Sequence, residues 1–490
     1  MKTKQMTSII GVFSLYFSML FCGACSNDDS AEPAPPPPKV EDTSHISVTV
    51  TNKSQSFLFS EISNSVSVGS NASNTTLSIS TSEVYQEMDG FGYTLTGGSA
   101  YHLYNMGSSK RAELLKELFS TEGTGIGVSY LRISIGASDL DAEPFSYNEL
   151  PDGEEDLNME KFSIAEDKKY LIPVLKEILA INPAIKILGS PWSPPTWMKT
   201  NKSFKGGELK TSHYNAYGLY FVKYIQAMKA EGITIDAVTI QNEPLHPGNN
   251  PSLLMEADAQ ANFIASSLGP KFQEYGISTK IICYDHNADR PDYPIEVFNN
   301  TNANPYVDGS AFHLYGGSID DLSQVHTAFP DKNIYFTEQW VGAGSDFGDN
   351  LMWHVKNLII GAPRNWSKNV LEWNLAANSA LEPHTDGGCD QCLGALTIDG
   401  NILKRNVAYY IIAHASKYVR PGSVRVKSNS PSDLPNVAYK APDESIVVVV
   451  MNESDQEKKF NLRIEETNEE YIITLPANSV GTIVNKQKDN

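Results

Sequence analysis

Two glutamates, Glu243 and Glu338, each stand at the end of a short apolar run that is typical of a buried strand. The runs read VTIQNEP (238–244) and NIYFTEQW (333–340). Two facing carboxylates can hydrolyse a glycosidic bond, because one donates a proton to the leaving oxygen while the other attacks the anomeric carbon or stabilises positive charge there. A separation of about 5–5.5 Å gives retention of configuration, and a wider gap gives inversion.

Each of these residues has an ordinary structural interpretation when it is taken singly. A Glu-Pro pair after a strand, such as Glu243 with Pro244, is usually a solvated turn. A lone histidine such as His313 is usually structural, and Trp192 or Trp373 alone would fit a core. The combination favours catalysis, because all of these residues fall at the predicted carboxyl ends of strands.

A repeating strand–helix pattern fills the middle of the chain, residues 87–415. The predicted strands are Met88–Thr96, Val128–Gly136, Ala184–Trp192, Asp236–Pro244, Ser278–Asp285, Asp308–Tyr315, Asn333–Trp340 and Asn369–Leu375. Apolar residues at helical spacing lie between them, as in Leu171–Ile181, Tyr217–Met228 and Arg405–Tyr418. These units predict an α/β fold, a (β/α)8 TIM barrel, with its active site at the carboxyl ends of the strands. The alternative is a doubly wound open sheet, which the lack of a glycine-rich fingerprint after the first strand disfavours.

Both ends of the chain beyond this pattern alternate as β-strands do. The alternating runs are Ile46–Val50, Leu77–Ser80, Glu444–Met451, Phe460–Ile464 and Tyr471–Leu475. We therefore predict β-strands within residues 45–86 and 416–490, which together resemble a small all-β unit.

Residues 1–24 have the composition of a signal peptide, with lysines ahead of the apolar run Ile9–Phe21, which is too short to span a bilayer. Cys25 follows small residues as in a bacterial lipobox and would be lipidated; a plain secretory signal is the alternative. Residues 25–44 form a proline-rich linker. Together with the acidic residues after Cys25, these features predict an outer-membrane surface lipoprotein of a Gram-negative bacterium, with a periplasmic or secreted protein as the alternative.

The 490-residue chain carries a formal net charge of −20. Such a surface repels phosphate backbones, which excludes nucleic acid as a partner, whereas neutral ligands are compatible with it. The sequence has no HExxH motif, and two-carboxylate chemistry needs no cofactor. We expect no metal, no cofactor and a monomer.

Three cysteines remain in the predicted mature chain after Cys25. Cys389 and Cys392 form a CxxC motif, and a single CxxC without further ligands is a poor zinc site. Outside the cytoplasm this spacing favours a local disulfide. Cys283 lies within an apolar run and is predicted to be a buried core thiol.

Seven segments of the chain occur in an order that is known from one enzyme family. They are DGFGYTLT (89–96), LRISIGASDL (131–140), SPWSPPTWMK (190–199), QNEP (241–244), AFHLY (311–315), FTEQW (336–340) and VLEWNLA (370–376). On these segments the sequence resembles glycoside hydrolase family 30, the glucosylceramidase-like enzymes of the retaining barrel clan. The resemblance implies a TIM barrel with a side β-sandwich that is built from both chain ends.

The resemblance also implies roles for single residues. Glu243 would be the acid/base, Glu338 the nucleophile, and Asn242 would bond the sugar 2-hydroxyl. Tyr315 would hold the nucleophile ionised, whereas Glu243 would need a raised pKa to donate at neutral pH. The other predicted substrate-binding residues are Arg132, Trp192, His313, Trp340 and Trp373.

One position departs from the family pattern. Many relatives have an aspartate after the threonine of the first-strand motif, whereas Thr96 is followed here by Gly97. We interpret the change as room for a sugar extended at its 6-hydroxyl, which predicts an endo-β-1,6-glucanase acting on fungal-type, pustulan-like glucan. The alternatives are an exo-acting β-glucosidase or glucosylceramidase-like enzyme, and a β-xylosidase or xylanase. A non-catalytic surface glycan-binding lipoprotein is disfavoured, because it would not need both glutamates.

Overall fold

The computed structural model describes residues 43–487. The predicted signal peptide, Cys25 and nearly all of the proline-rich linker lie outside the described residues. Within residues 43–487, no helix is both long and apolar enough to cross a bilayer.

Eight parallel strands in the middle of the chain close into a barrel. In chain order they are Gly90–Thr94, Tyr130–Ser134, Lys186–Ser190, Ala237–Thr239, Lys280–Asn287, Val307–His313, Asn333–Glu338 and Ser367–Asn374; we call them barrel strands one to eight. Strand eight pairs with strand one, so the sheet has no free edge. The predicted (β/α)8 barrel is confirmed, and the open sheet is excluded.

The helices that connect these strands cover the outside of the barrel. The α-helices are Gly97–Asn105, Ser108–Phe119, Leu171–Ile181, Tyr214–Ala230, Ala257–Phe263, Gly269–Glu274, Asp292–Asn299, Leu322–Ala328, Phe347–His354, Ala362–Arg364 and Val407–Ser416. Two segments are π-helical, Ile264–Leu268 and Val355–Gly361, and each joins the α-helices on either side of it. The helix predicted over Leu171–Ile181 has those bounds, because its apolar residues repeat at helical spacing throughout.

Barrel strand four differs most from its prediction. It spans Ala237–Thr239 rather than Asp236–Pro244. The chain leaves the sheet after Thr239, and Glu243 adopts a left-handed backbone conformation with φ 45°. This conformation is uncommon for a non-glycine residue and interrupts the extended run after Thr239. Glu243 therefore stands on the loop beyond the strand, above the barrel mouth.

The two chain ends meet in one sheet system beside the barrel, in which all neighbouring strands are antiparallel except Thr76–Glu87 and Lys458–Ile464. Its strands are Ile46–Asn52, Ser60–Glu61, Val66–Val68, Thr76–Glu87, Val424–Ser428, Asn436–Lys440, Ile446–Asn452, Lys458–Ile464, Glu469–Leu475 and Ser479–Asn485. Ile46–Asn52 pairs in full register with Ser479–Asn485. A separate apolar core fills this β-sandwich. The predicted side domain built from both chain ends is thus confirmed.

Two small sheets lie at the mouth of the barrel. Val341–Gly342 pairs with Cys392–Leu393, which ties the segment after barrel strand seven to the loop after strand eight. The other small sheet contains Ala376–Ala377, Leu396–Asp399 and Ile402–Arg405.

A cluster of buried side chains fills the barrel interior, with one residue from each of strands two to eight. These residues are Tyr130, Leu188, Ala237, Ile282, Ala311, Tyr335 and Leu371. Such a layer supports the groups at the strand ends above it, because close-packed interiors leave little room to shift.

We predict that Leu371→Ala lowers the free energy of unfolding by about 2–5 kcal/mol, because it leaves a cavity in this fully buried layer. The measurement is urea denaturation of the soluble form that begins after the linker. Leu157→Ala is the matched control, since Leu157 is 54% exposed and its truncation is expected to change the free energy by less than about 0.5 kcal/mol. Equal effects of the two substitutions would contradict the interior layer.

Candidate active site

A cavity of about 350 Å³ opens at the carboxyl ends of the barrel strands. Its lining residues are Asp139, Trp192, Asn242, Glu243, His246, Asn249, His286, Asn287, Tyr315, Glu338, Trp340, Trp373, Cys389 and Cys392. The set contains both glutamates and five of the seven residues that were predicted to bind substrate. The Trp192 and Trp373 rings lie side by side, with centroids 5.4 Å apart.

Glu338 is held at the end of barrel strand seven by two donors. Arg132 donates from Nη1 to its Oε2 at 2.5 Å, and the Tyr315 hydroxyl donates to its Oε1 at 3.0 Å. The predicted hydrogen bond from Tyr315 is therefore confirmed. Both carboxylate oxygens are oriented by these contacts, so the group has little freedom to rotate.

Arg132 lies beneath the cavity rather than in its lining, because its side chain is completely buried. It donates from Nη2 to Asp285 at 2.8 Å and to the Asn242 side-chain oxygen at 2.6 Å. Its guanidinium also stacks 4.8 Å from the Trp192 ring centroid. The contact with Asn242 leaves that residue's amide nitrogen free to face a ligand.

Asp285 is a buried acceptor at the centre of the site. Its carboxylate accepts from Ser190, Thr239 and Thr337 at 2.5, 2.7 and 2.7 Å. Burial acts to raise the pKa of Asp285, but the Arg132 charge and the hydrogen bond from His313 hold it well below its usual range. Asp285 is therefore a permanent negative charge under the cavity floor.

His313 bridges Asp285 to Glu243. Its Nε2 lies 3.1 Å from Asp285 Oδ1, and its Nδ1 lies 3.2 Å from Glu243 Oε1. Burial opposes the charged imidazolium, but the charge of Glu338 and the hydrogen bonds to Asp285 and Glu243 raise the pKa of His313 to about 9. His313 is thus protonated at neutral pH and donates from both nitrogens. Its side chain is completely buried and, like that of Arg132, does not line the cavity, so substrate contact by these two residues stays a prediction.

The pKa of Glu243 is lowered and that of Glu338 is raised, which is the reverse of what was expected for an acid and a nucleophile. Burial acts to raise the pKa of Glu243, but the hydrogen bond and charge of His313 lower it below the ordinary glutamate value. Burial raises the pKa of Glu338, although His313 and Arg132 oppose the rise. The expectation of a raised pKa at Glu243 is wrong, because His313, whose pKa is raised to about 9, holds the proton instead.

Several lining residues were not singled out from the sequence. Asp139 follows barrel strand two, and burial together with the Glu338 charge raises its pKa to about 7. Its Oδ2 accepts from the Cys389 backbone at 3.3 Å. The predicted Cys389–Cys392 disulfide is present, and Cys283 is a buried free thiol as predicted. The position of Asp139 at a strand end was the available signal.

Gly97 does not widen this cavity, which corrects the interpretation of the first-strand motif. A side chain at Gly97 would overlap the Asp141 carboxylate. Gly97 instead lines a separate, neighbouring cavity. The glycine is required by the close approach of Asp141, so it carries no information about a sugar bound between the two glutamates.

In the described part of the chain, one group of acidic and histidine side chains is close enough to bind a metal, and it consists of Glu243, His313 and Glu338. One atom from each lies within 4.8 Å of the others. The guanidinium of Arg132 already contacts Glu338 and, with the charged His313, repels a cation. The geometry favours proton transfer over metal binding.

We predict opposite pKa shifts for two neighbouring histidines, measured by NMR titration of 13C-labelled protein. His313 is expected near pH 9, whereas burial lowers the pKa of His286 to about 4. Because the folded-state pKa of His313 exceeds the unfolded value of about 6.5, its stabilising contribution is full below that pH and is lost as the pH rises through about 9.

The His313→Gln variant assigns the resonance by its loss. A His313 signal that titrates at or below the ordinary histidine value would contradict the charged bridge between Asp285 and Glu243.

Comparison with known proteins agrees with this architecture. Residues 88–419 match the glycosyl hydrolase family 30 TIM-barrel domain, and residues 422–483 match the family's beta sandwich domain. An endo-1,6-beta-D-glucanase of Neurospora crassa is 35% identical over 391 residues, which cover 76% of this chain and 80% of that protein. The endo-1,6-beta-D-glucanase BGN16.3 of Trichoderma harzianum is 30% identical over 96% of this chain and 99% of its own length.

A solved structure of the endo-beta1,6-glucanase BT3312 matches with a TM-score of 0.84 and 35% identity, covering 90% of this chain and all of that one. SrfJ from Salmonella typhimurium matches with a TM-score of 0.83 and 27% identity over the same shares. The chain therefore belongs to glycosyl hydrolase family 30 and is a glycosidase.

Proposed function

We propose that this glycosidase is a retaining endo-β-1,6-glucanase with Glu338 as nucleophile and Glu243 as acid/base. The observation that carries the mechanism is the short distance between the two carboxylates. One side-chain oxygen of Glu243 lies within 4.8 Å of one side-chain oxygen of Glu338. Retaining enzymes place the pair about 5–5.5 Å apart, whereas inverting enzymes need about 6.5–9.5 Å to admit a water.

In the first step Glu338 attacks the anomeric carbon, the glycosidic C–O bond breaks, and the leaving oxygen takes a proton from Glu243. The product is an ester between the sugar and Glu338. In the second step Glu243 removes a proton from water, the water oxygen attacks the anomeric carbon, and the ester bond to Glu338 breaks. Configuration is retained because each step inverts it once.

Before the reaction, the proton for the first step is held on His313, whose pKa is raised to about 9. His313 Nδ1 lies 3.2 Å from Glu243 Oε1, so transfer along this hydrogen bond gives a neutral imidazole and a protonated Glu243. When the ester forms, the negative charge of Glu338 disappears, and with it the largest attraction that favours the charged His313. Glu243 is then left as the base that the second step requires.

The substrate assignment rests on the relatives and on the cavity walls. The relatives at 30–35% identity are named as endo-1,6-beta-D-glucanases. Trp340 is partly exposed and offers a flat apolar surface on which the C–H face of a sugar ring packs, whereas Trp192 and Trp373 contribute to the cavity wall with at most 4% of their surface exposed. The amide of Asn242 is placed to donate to the 2-hydroxyl beside Glu338. The net charge of −20 suits a neutral glucan.

The second candidate is an exo-acting enzyme of the glucosylceramidase type. The mouse lysosomal acid glucosylceramidase is 28% identical over 78% of this chain. Solved family 30 xylanases lie at 24% identity or less, so they support the shared fold alone. A purely glycan-binding role is disfavoured, because Glu338 and Glu243 keep the complete set of contacts described above.

We expect linear β-1,6-glucan to yield mixed-length gluco-oligosaccharides at early times, which we would follow by chromatography. Glucose alone from the start would support the exo-acting candidate, and no product would contradict both. Glu338→Gln should lower kcat/KM on the order of 10⁴-fold or more, and Glu243→Gln on the order of 10²–10⁴-fold. Glu296→Gln, an exposed glutamate on an outer helix, is the matched control and should retain full activity.

The Glu243→Gln variant also tests retention directly. With an activated aryl glycoside of a β-1,6-gluco-oligosaccharide, the first step needs no acid while the second lacks its base, so the ester should accumulate. Peptide mapping by mass spectrometry should find the glycosyl group on Glu338. A turnover-competent enzyme that forms no such ester, and whose first product is the α-anomer, would show an inverting mechanism.

We further propose that the protein acts at the outer-membrane surface through a lipid on Cys25, on the strength of the basic, apolar and small-residue pattern before that cysteine. In a Gram-negative host, labelled palmitate should enter the wild-type protein and not Cys25→Ala, and protease added to intact cells should digest the wild type. Incorporation that is unaffected by Cys25→Ala would contradict lipidation, and complete protection from protease would place the protein in the periplasm.

A further inference from the structure

A second cavity, of about 750 Å³, lies on the same face of the barrel as the active site and is about twice as large. Its lining comes from the helix Gly97–Asn105, the loop after barrel strand two, the start of the helix Leu171–Ile181 and the loop after strand eight. These loops follow strands one, two and eight, so the cavity opens at their carboxyl ends. None of the catalytic chemistry described above uses it.

The two cavities share a wall. Asp139 lines the active site, and Asp141, two residues later, lines the second cavity. The segment between them is fixed from both sides, because the Leu140 carbonyl accepts from the Gly98 backbone at 2.9 Å and the Asp139 carbonyl accepts from the Thr385 backbone at 3.0 Å. A chain that leaves the active site over this segment would reach the second cavity directly.

Three aromatic residues line the second cavity. Tyr101 is 42% exposed, and its ring meets that of Tyr170 edge to face, with centroids 5.2 Å apart. Phe145 adds a third ring to the lining. An exposed tyrosine that is held in place by a second ring is a preformed platform, because little side-chain entropy is lost when a ligand packs on it.

Much of the remaining lining is polar and carries excess negative charge. Lys169 is paired with Glu166 at 2.5 Å, and His102 donates from Nε2 to the Glu382 carbonyl at 2.7 Å. Glu143 makes no side-chain hydrogen bond or ion pair with any residue in the described part of the chain. Its carboxylate is available to accept hydroxyl protons from a ligand, whereas the overall charge of the lining repels anions.

We propose that this cavity is a second, non-catalytic binding site for a neutral saccharide chain, formed chiefly by Tyr101, Tyr170, Phe145 and Glu143. Exposed aromatic rings together with the unpaired Glu143 carboxylate match a sugar, which has apolar C–H faces and donor hydroxyls at its rim. Phosphate or sulfate groups fit it poorly because of the acidic lining. This assignment rests on the proposed function: the ligand is a distant stretch of the same β-1,6-glucan chain that is cleaved in the active-site cavity.

Such a site raises the local concentration of polymer at the catalytic cavity without touching the reacting bond. It therefore affects long substrates and spares short ones. We expect Tyr101→Ala to raise KM for linear β-1,6-glucan about threefold to tenfold, the range for loss of one aromatic contact, with kcat unchanged. Its KM for the shortest β-1,6-gluco-oligosaccharide that the enzyme cleaves should stay at the wild-type value.

Two further variants keep this test interpretable. Glu143→Gln preserves side-chain shape and should shift KM in the same direction. Tyr275→Ala is the matched control, because Tyr275 is 44% exposed but stands just before barrel strand five, at the opposite end of the barrel. Thermal unfolding of all three variants shows whether a change in KM arises from lost stability.

Binding is measured separately in the inactive Glu338→Gln background by electrophoresis through gels that contain linear β-1,6-glucan. Tyr101→Ala should be retarded less than the parent, and Tyr275→Ala as much. Equal retardation with an unchanged polymer KM would overturn the second site while leaving the proposed function intact. Equal increases in KM for the polymer and for the short substrate would also overturn it. So would the finding that Glu143 is needed to bind calcium ions and is not needed to bind the glucan. Wild-type enzyme that never cleaves β-1,6-glucan would instead contradict the proposed function.

Discussion

The buried charge of Arg132 is the constraint around which the catalytic end of the barrel is arranged. A completely buried guanidinium must be paired, and here Asp285 and Glu338 supply two carboxylates while Trp192 covers its face. Removing one partner from such a group costs about 3–5 kcal/mol, because a charge is left without compensation. Arg132 stands on barrel strand two, Asp285 on strand five and Glu338 at the end of strand seven. Their mutual attraction therefore fixes three separate strand ends relative to one another.

The same network gives two chemically identical side chains different tasks. Glu338 contacts the permanent cation Arg132, whereas Glu243 contacts His313, a cation that can give up its proton. One glutamate thus faces a fixed charge and the other a proton donor, and the distinction follows from neighbours rather than from the glutamates themselves. Glu243 also holds a left-handed backbone, as does Asp285 with φ 70°, and each such conformation costs about 1–3 kcal/mol. The surrounding hydrogen bonds, including that from the Glu243 backbone to the Asp285 carbonyl at 2.9 Å, maintain both conformations.

The local sequence pattern was sufficient to predict the barrel and the β-strands at both chain ends, whereas the sandwich that these strands form was implied by the family resemblance. The predicted end of barrel strand four was wrong, because the chain leaves the sheet after Thr239. Alternation and helical spacing are local signals, and the segments around Glu243 and Glu338 carry them clearly. Asp285 ends the predicted strand Ser278–Asp285 but was not singled out, because its importance comes from contacts with residues 28 to 153 positions away. The pKa of Glu243 was mispredicted for the same reason, since His313 reaches it from another strand. Gly97 was misread because its neighbour Asp141 lies 44 positions along the chain, in a loop whose path no local pattern reveals.

The β-sandwich is bound to the barrel by buried polar contacts, which argues that it supports the barrel rather than acting as a separate module. His414, on the last helix, lies 2.9 Å from Thr51 and 2.9 Å from Thr482, one on each of the paired first and last strands of the sandwich. Burial lowers the pKa of His414 to about 3, so these contacts involve a neutral ring at all physiological pH values. The same helix accepts a hydrogen bond from Tyr93 on barrel strand one through the Ala408 carbonyl at 3.1 Å. Strand one pairs with strand two, which carries Arg132. Contacts between packed elements therefore connect the chain ends to the buried cation. A destabilised sandwich is expected to disturb the position of Arg132 through these contacts.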